Sequence, residues 1–469
     1  MTTLGIDLGT GSVKAARVSA EGTVERKARH PYPVTAPHPG WAESDPLAWL
    51  SAAREVATQA LADAPGPVEA VGFSGQMHGV VVTDAALTPL RPAILWADGR
   101  SSGQALALAH DLSAEDLSRL GSPAVPGFAA TTLAWLYENE PALMARAVHV
   151  LQPKDWLRAS LGGGLATDPS DASGTLLYDV VSGGWSERAG TWVGLPSTLL
   201  PSIAASTAHV GEVSFGAGPL ACVVGGADTA CALAGLGIGP EEGFLAVGSG
   251  AQVVRRMTSP KLDASLRTHT FAIAGVAGQG WYRIGAVQSA GLSLTAALAW
   301  FGASVEEASA ALAEGVRADD PVFVPYLSGE RTPFMDPGMR GSWLGLSLAT
   351  DRASMLRSIL EGVAQAVALG VSAVQDSGEP MPEVVPLVGG GTNDASFRQL
   401  LADATGLSLA VTDAPDAAVV GAALLAAGLT SNPNPAGHRE VVTPEPEAMA
   451  LLAERRGRMV ASAITREEP

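Results

Sequence analysis

Gly5-Ile6-Asp7-Leu8-Gly9-Thr10-Gly11-Ser12-Val13-Lys14 is the stretch from which the fold can be read. Leu4, Ile6 and Leu8 alternate as in a half-buried strand, Gly9-Thr10-Gly11 makes a tight turn, and Val13, Ala15 and Val18 resume a strand. An Asp closing the first strand, followed by small residues, suits a phosphate. Glycines let the backbone approach closely, and the turn exposes N–H donors and the Thr10 hydroxyl. The Asp7 carboxylate would repel phosphate unless Mg2+ sat between them, so Asp7 points to a metal, held directly or through water. The spacing is neither GxxxxGK[ST] nor a GxGxxG that opens a helix, so the P-loop and dinucleotide readings fail. Taken alone, the segment reads equally well as a hairpin with a capping Asp.

The second half opens in the same way. The apolar run Gly243–Val247 enters Gly248-Ser249-Gly250, and Val253-Val254 continue beyond it. Two strand–turn–strand units at the heads of the two halves suggest an internal duplication. Facing each other across a cleft, the two turns would clamp a phosphate chain. Later, Val384–Val388 runs into Gly389-Gly390-Gly391, with Asn393 or Asp394 at the cap of a helix from about Ser396. Three glycines after a strand are costly unless something lies against the backbone. An adenine or ribose fits there, with the helix N-terminus helping the phosphates; a plain turn is the alternative.

Helical spacing recurs between these strands. Asp45 and Pro46 start a helix carrying Trp49, Ala53, Val56 and Ala60 on one face. Leu356, Ile359, Val363, Val367 and Val371 line another, and a final apolar helix begins at Ala417. Alternating strands and helices predict an α/β protein with sheets covered on both faces. A chain of 469 residues is long for one core. The expected division is residues 1–238 and 239–469. The Pro- and charge-rich segment 430–447 reads as a loop at the far edge of the second sheet.

Chemistry concentrates in Val223-Val224-Gly225-Gly226-Ala227-Asp228-Thr229-Ala230. One carboxylate among small residues after an apolar strand is partly desolvated and faces a crevice. Asp228 is therefore placed to take a proton from an attacking hydroxyl; capping the following helix is the competing role. Ser74-Gly75-Gln76-Met77-His78-Gly79 sits between two strands and offers hydrogen bonds beside an apolar wall. Leu95-Trp96-Ala97-Asp98-Gly99-Arg100 adds an aromatic face and a carboxylate, a mixture that suits sugars. A buried Asp98–Arg100 pair is the alternative there.

Composition narrows the partners. The net charge of −18 disfavours nucleic acid and anionic membranes. The apolar runs are broken well before a spanning length, and no leader-like segment precedes the first strand. Cys222 and Cys231 lack metal-ligand spacing and read as two buried thiols. A cytoplasmic location is expected.

Together these motifs resemble the FGGY carbohydrate kinases, specifically their xylulokinase-like members, from Gly5 to about Gly428. GIDLGTGSVK (Gly5–Lys14) is similar to the family's first phosphate motif. GQMHG (Gly75–Gly79) with RPAILWADGR (Arg91–Arg100) resembles the xylulokinase-like hallmark. VPGF (Val125–Phe128), PKDWLR (Pro153–Arg158), TDPSDASGT (Thr167–Thr175), FVPYLSGERTP (Phe323–Pro333) and GGGTNDASFRQLLAD (Gly389–Asp403) follow in family order. The resemblance implies two actin/hexokinase-like ATPase (ribonuclease H-like) domains around a central cleft. It implies ATP and Mg2+ as cofactors, a ketopentose such as D-xylulose as acceptor, and Asp228 as general base. Gln76, Met77, His78, Trp96, Asp98, Asp228 and Thr229 are then expected at the sugar. Asp7, Gly9, Thr10, Gly11, Lys14, Gly248, Ser249, Gly250, Gly389, Gly390, Gly391 and Asn393 are expected at the nucleotide, with Asp7 and Asp228 serving the metal. A homodimer is compatible with the resemblance, though no feature demands one. Three places depart from the pattern: Thr229 stands where xylulokinases commonly carry an amide, Ala130-Thr131-Thr132 replaces a segment that usually includes Pro-Lys, and Gly248-Ser249-Gly250-Ala251 is a variant of the usual Gly-Thr-Ser-Gly turn. These departures leave ribulose, a pentitol, gluconate or glycerol as rival acceptors.

Overall fold

A computed structural model describes residues 1–63, 66–216 and 218–464. Its two seven-stranded sheets are built alike. In the first, β1 (Thr2–Leu8) and β2 (Ser12–Ser19) form an antiparallel pair, with β3 (Val24–Pro31) beyond. On the other side β1 runs parallel to β4 (Val68–Gly75), followed by β6 (Pro219–Val223) and β5 (His209–Ser214). A short β7 (Gly226–Ala227) also joins β4 in parallel.

The second sheet repeats this plan. There β8 (Gly243–Val247) pairs antiparallel with β9 (Ala251–Met257) and parallel with β12 (Val384–Val388). Beyond β9 lie β11 (Trp281–Val287) and β10 (His269–Ala272); beyond β12 lie β13 (Ser408–Thr412) and β14 (His438–Val442). The two glycine turns thus occupy equivalent corners, between β1 and β2 and between β8 and β9. The loop expected over 430–447 contains β14, an edge strand whose residues are mostly exposed. One apolar-poor strand of this kind needs only a single paired neighbour, so its composition resembles a loop's.

Helices fill the faces. α1 (Pro46–Leu61), capped by the Asp45 carboxylate, buries Trp49, Ala53 and Val56 on the first sheet. α5 (Arg352–Asp376) is long and apolar enough to cross a membrane, yet 83% of its most apolar stretch lies inside the fold, as a core helix should. α4 (Asp228–Gly235) follows β7 directly. α7 (Ala417–Ala426) comes late in the chain but rests on the first sheet. Glycines make that possible: a Cβ on Gly5 or Gly72 would stand 2.0 Å from a carbonyl oxygen of α7, and one on Gly421 would stand 1.9 Å from the Cys231 carbonyl of α4. Both cysteines are free and buried.

Candidate active site

Each glycine turn borders a cavity. The smaller, about 160 Å3, draws its walls from both halves of the chain. Thr10, Gln76, Met77, His78, Trp96, Asp228 and Thr229 come from the first half, and Gln252, His269, Phe271 and Arg331 from the second.

Asp228 begins α4 immediately after β7, so its carboxylate projects from a strand end into the gap between the sheets. Its backbone is set by Gly225, whose φ of +81° and contact with the Phe73 carbonyl leave no room for a Cβ. One carboxylate oxygen accepts the Thr229 N–H at 2.6 Å and the Thr229 hydroxyl at 3.2 Å. Burial, then the charge of Asp7, push the Asp228 carboxyl up to about 6 against those two bonds. At neutral pH it remains mainly ionised and is a better base than an exposed Asp. Asp7, at the end of β1, is likewise raised by burial, although it accepts the Ser74 hydroxyl at 2.8 Å and faces Lys14.

The opposite wall is built for hydrogen bonding. His78 adopts φ +74°, a strained conformation for a non-glycine residue, and its ring stacks on Phe128 at 3.8 Å. Its Nδ1 lies 2.6 Å from the Gly174 carbonyl, which can only accept, so Nδ1 carries the proton. Burial pushes this imidazole down to about 3, aided by Arg331, and Nε2 is left as an acceptor. His269, carried on β10, contacts the Ser122 hydroxyl through Nδ1 at 2.8 Å. Its buried Nε2 and both amide atoms of the buried Gln76 have no hydrogen-bond partner among the described residues. Each such orphan costs about 1–3 kcal/mol unless something polar enters the cavity. The Arg331 guanidinium lies 5.0 Å over the Trp96 ring, with no carboxylate at ion-pair distance among the described residues.

The larger cavity, about 700 Å3, lies wholly in the second half. Gly248 and Ser249 form one side, Gly390, Gly391, Asn393 and Asp394 another, with Leu292 and Phe397 as apolar walls. The turn after β8 is anchored by the Gly291 and Leu292 N–H groups, which donate to the Gly248 and Ser249 carbonyls. Asp394 caps α6 (Ala395–Thr405) through the Phe397 N–H. A cavity of this volume, with apolar walls beside a glycine-rich backbone and the N-terminus of α6, has the size and chemistry of a nucleotide site.

Residues 2–235 match the N-terminal domain, and residues 253–429 the C-terminal domain, of the FGGY family of carbohydrate kinases. The chain belongs to that family. It is 35% identical over 439 residues to the xylulose kinase of Klebsiella pneumoniae, covering 91% of this chain and 89% of that one. The xylulose kinase of Escherichia coli strain K12 is 34% identical with the same coverage. The crystal structure of a xyloylose kinase from Brucella ovis superposes with a TM-score of 0.91 at 30% identity, covering 98% of both chains. A gluconate kinase from Lactobacillus acidophilus reaches a TM-score of 0.92 at 21% identity, covering 99% of this chain and 98% of that one, a likeness of fold alone. The protein is an FGGY sugar kinase with the two-domain actin/hexokinase-like architecture.

Within this kinase, several expected site residues fall elsewhere. Asp98 is buried and does not line the smaller cavity. Its carboxylate accepts the Ala42 N–H at 2.6 Å and pairs with Arg100 at 2.8 Å, and Arg100 also reaches Glu43 and stacks on Trp41. Lys14 lines neither cavity; it bonds the Pro415 carbonyl and Asp416 at 3.2 and 3.4 Å. Of the first turn, Thr10 lines the smaller cavity, where its hydroxyl oxygen accepts the Trp96 indole N–H at 3.0 Å. Gly9 and Gly11 shape the turn behind it. Gly250 and Gly389 also lie off the linings, and backbone contact explains them: added Cβ atoms would stand 2.9 Å from the Val287 carbonyl and 2.3 Å from the Val247 carbonyl. Phe128, Gln252, His269, Phe271 and Arg331 were not singled out from the sequence. Arg331 and Phe128 do lie within the family-like segments FVPYLSGERTP and VPGF.

Proposed function

We propose that this FGGY kinase transfers the γ-phosphoryl group of ATP to the terminal hydroxyl of a ketopentose, D-xylulose first, with Asp228 as general base. The supporting observation is the small cavity itself. It presents an ionised carboxylate on one side and unpaired buried Gln76 and His269 atoms, with the His78 acceptor, on the other. A polyhydroxylated chain satisfies all of them at once. The relatives named xylulose kinase support the choice among ketoses.

ATP occupies the larger cavity in this reading, with its phosphates running from Gly248 and Ser249 toward Thr10. The hydroxyl oxygen of the sugar attacks the γ-phosphorus as its proton passes to Asp228, and the bond to the ADP oxygen breaks. Mg2+ fits here because it needs only one or two protein carboxylates, and Asp7 and Asp228 stand close enough for one to raise the other. Bound there, it would offset charge on the phosphate oxygens. Asp7, itself fixed by Ser74, also shapes the acidity of the base.

Arg331 favours a second acceptor class. An arginine with no carboxylate at ion-pair distance among the described residues, in a cavity read as the sugar's, suits an anionic carbon chain such as an aldonate. ADP release measured across D-xylulose, D-ribulose, pentitols, gluconate and glycerol decides between them. The proposal expects D-xylulose to give the highest kcat/KM; a higher value for gluconate would replace it with the second reading.

A further inference from the structure

Behind the Asp228 turn lies a group of charged side chains that touches neither cavity. Lys154 and Arg158 on α2 (Pro153–Ser160), and Asp168 and Asp171 at α3 (Pro169–Ser173), are fully buried. The Lys154 ammonium stands 3.2 Å from Asp168 and 3.3 Å from Asp171. Such a cluster is costly to bury, and its outward bonds converge on the segment that carries the base. The Arg158 guanidinium donates to the Val224 carbonyl at 2.5 Å. The Ala227 N–H, one residue before Asp228, donates to the Ser170 hydroxyl oxygen at 2.9 Å. The Ser170 hydroxyl in turn donates to Asp168.

The direction of that relay is fixed by chemistry. A carboxylate only accepts, so the Ser170 hydrogen must point at Asp168, and the oxygen lone pairs then face Ala227. Asp228 needs such support because its only hydrogen-bond donors among the described residues belong to Thr229, on the same turn. Its aim therefore follows the backbone at 227–229. The Ser206 hydroxyl meets the same Asp168 oxygen at 2.8 Å but serves a different segment, accepting the Gly275 N–H at 2.8 Å.

We propose that Ser170, oriented by Asp168, is a positioning residue for phosphoryl transfer: through the Ala227 N–H it holds the Asp228 carboxylate in line with the attacking hydroxyl. This rests on the reading of Asp228 as the base. The test compares Ser170→Ala with Ser206→Ala, which removes an equally buried donor to the same carboxylate while sparing Ala227. Misplacing a catalytic group by about 1 Å costs on the order of a hundredfold, so Ser170→Ala is expected to lose roughly ten- to a hundredfold in kcat. Its KM values for ketose and ATP should stay within about twofold of wild type, because neither cavity loses a contact. Ser206→Ala should keep kcat within about threefold, since the relay to Ala227 remains intact.

A folded Ser170→Ala enzyme with near wild-type kcat overturns the inference. So does an equal kcat loss in both variants accompanied by equal falls in Tm, which would make the cluster merely structural. If Ser170→Ala does not accumulate as folded protein, Ser170→Cys keeps the side-chain bulk with a poorer acceptor and is judged by the same two results. Asp228→Asn separates the two layers. Full turnover in that variant removes the base reading itself, whereas an inactive Asp228→Asn beside a normal Ser170→Ala removes only the role of Ser170.

Discussion

Replacing Asp228 by Asn should make the protein more stable while disabling it. Raising that carboxyl from 3.8 to about 6 means its ionised form is roughly 3 kcal/mol less favourable in the folded chain than in the unfolded one, at about 1.4 kcal/mol per tenfold change in acidity. The side chain keeps an edge toward the cleft, so solvent lowers the expected gain to about 1–3 kcal/mol. Asn preserves the geometry, since its amide oxygen still accepts the Thr229 N–H and hydroxyl. At about 2 °C per kcal/mol for a chain of this size, Tm should rise roughly 2–6 °C at pH 7.5. The sign with pH follows from the direction of the shift. A carboxyl whose folded pKa is raised destabilises fully above that pKa, and the penalty fades as pH falls from about 6 toward 3.8. The advantage of Asp228→Asn should therefore shrink between pH 7.5 and pH 4.5, measured as Tm in paired thermal scans. A variant less stable than wild type at pH 7.5, or a difference independent of pH, would refute the electrostatic account of this site.

The same carboxyl predicts an acid limb in kcat/KM for the ketose near pH 6. Asp7→Asn removes the neighbouring charge and should move that limb to lower pH, read from initial rates between pH 4.5 and 8. Arg331→Gln should raise the KM for the sugar by about tenfold, one charge-assisted hydrogen bond being worth about 1.5 kcal/mol, with the KM for ATP unchanged; an effect on ATP alone would put Arg331 at the nucleotide. Asp98→Ala removes one of the two carboxylates that hold the buried Arg100 guanidinium, Glu43 being the other, and leaves the Ala42 N–H without its acceptor; it should cost about 1–3 kcal/mol in unfolding free energy, with sugar KM preserved in the folded fraction. A selective rise in sugar KM would return Asp98 to the binding site.

What the sequence disclosed was local. The strand–turn–strand units at Gly9–Gly11 and Gly248–Gly250, the helix after Asp228 and the capped helix after Gly391 are each specified within about ten residues, and each was legible. The misreadings concern side chains whose partners lie far along the chain. The ion-pair partner of Lys14 is Asp416, 402 positions away, so the family-like motif that suggests a nucleotide contact gives no sign of that pair. For Asp98 the sequence leaves a sugar contact and a buried pair with Arg100 both open, because the Ala42 N–H that fixes the carboxylate in that pair comes from another segment. His269 and Gln252 lie on ordinary-looking strands of the second half, and only the closing of the two sheets brings them against Gln76 and His78. Gly389 shows the same limit from the other side. A glycine there looks like room for a ligand, but the Val247 backbone occupies that room.

The most direct test is single-turnover phosphoryl transfer by folded Asp228→Asn, with ketose and ATP binding measured separately by calorimetry. Loss of a general base predicts a rate reduced by about a hundred- to ten-thousandfold with both affinities within a few-fold of wild type. Transfer at the wild-type rate would contradict the assignment of proton abstraction to this carboxylate.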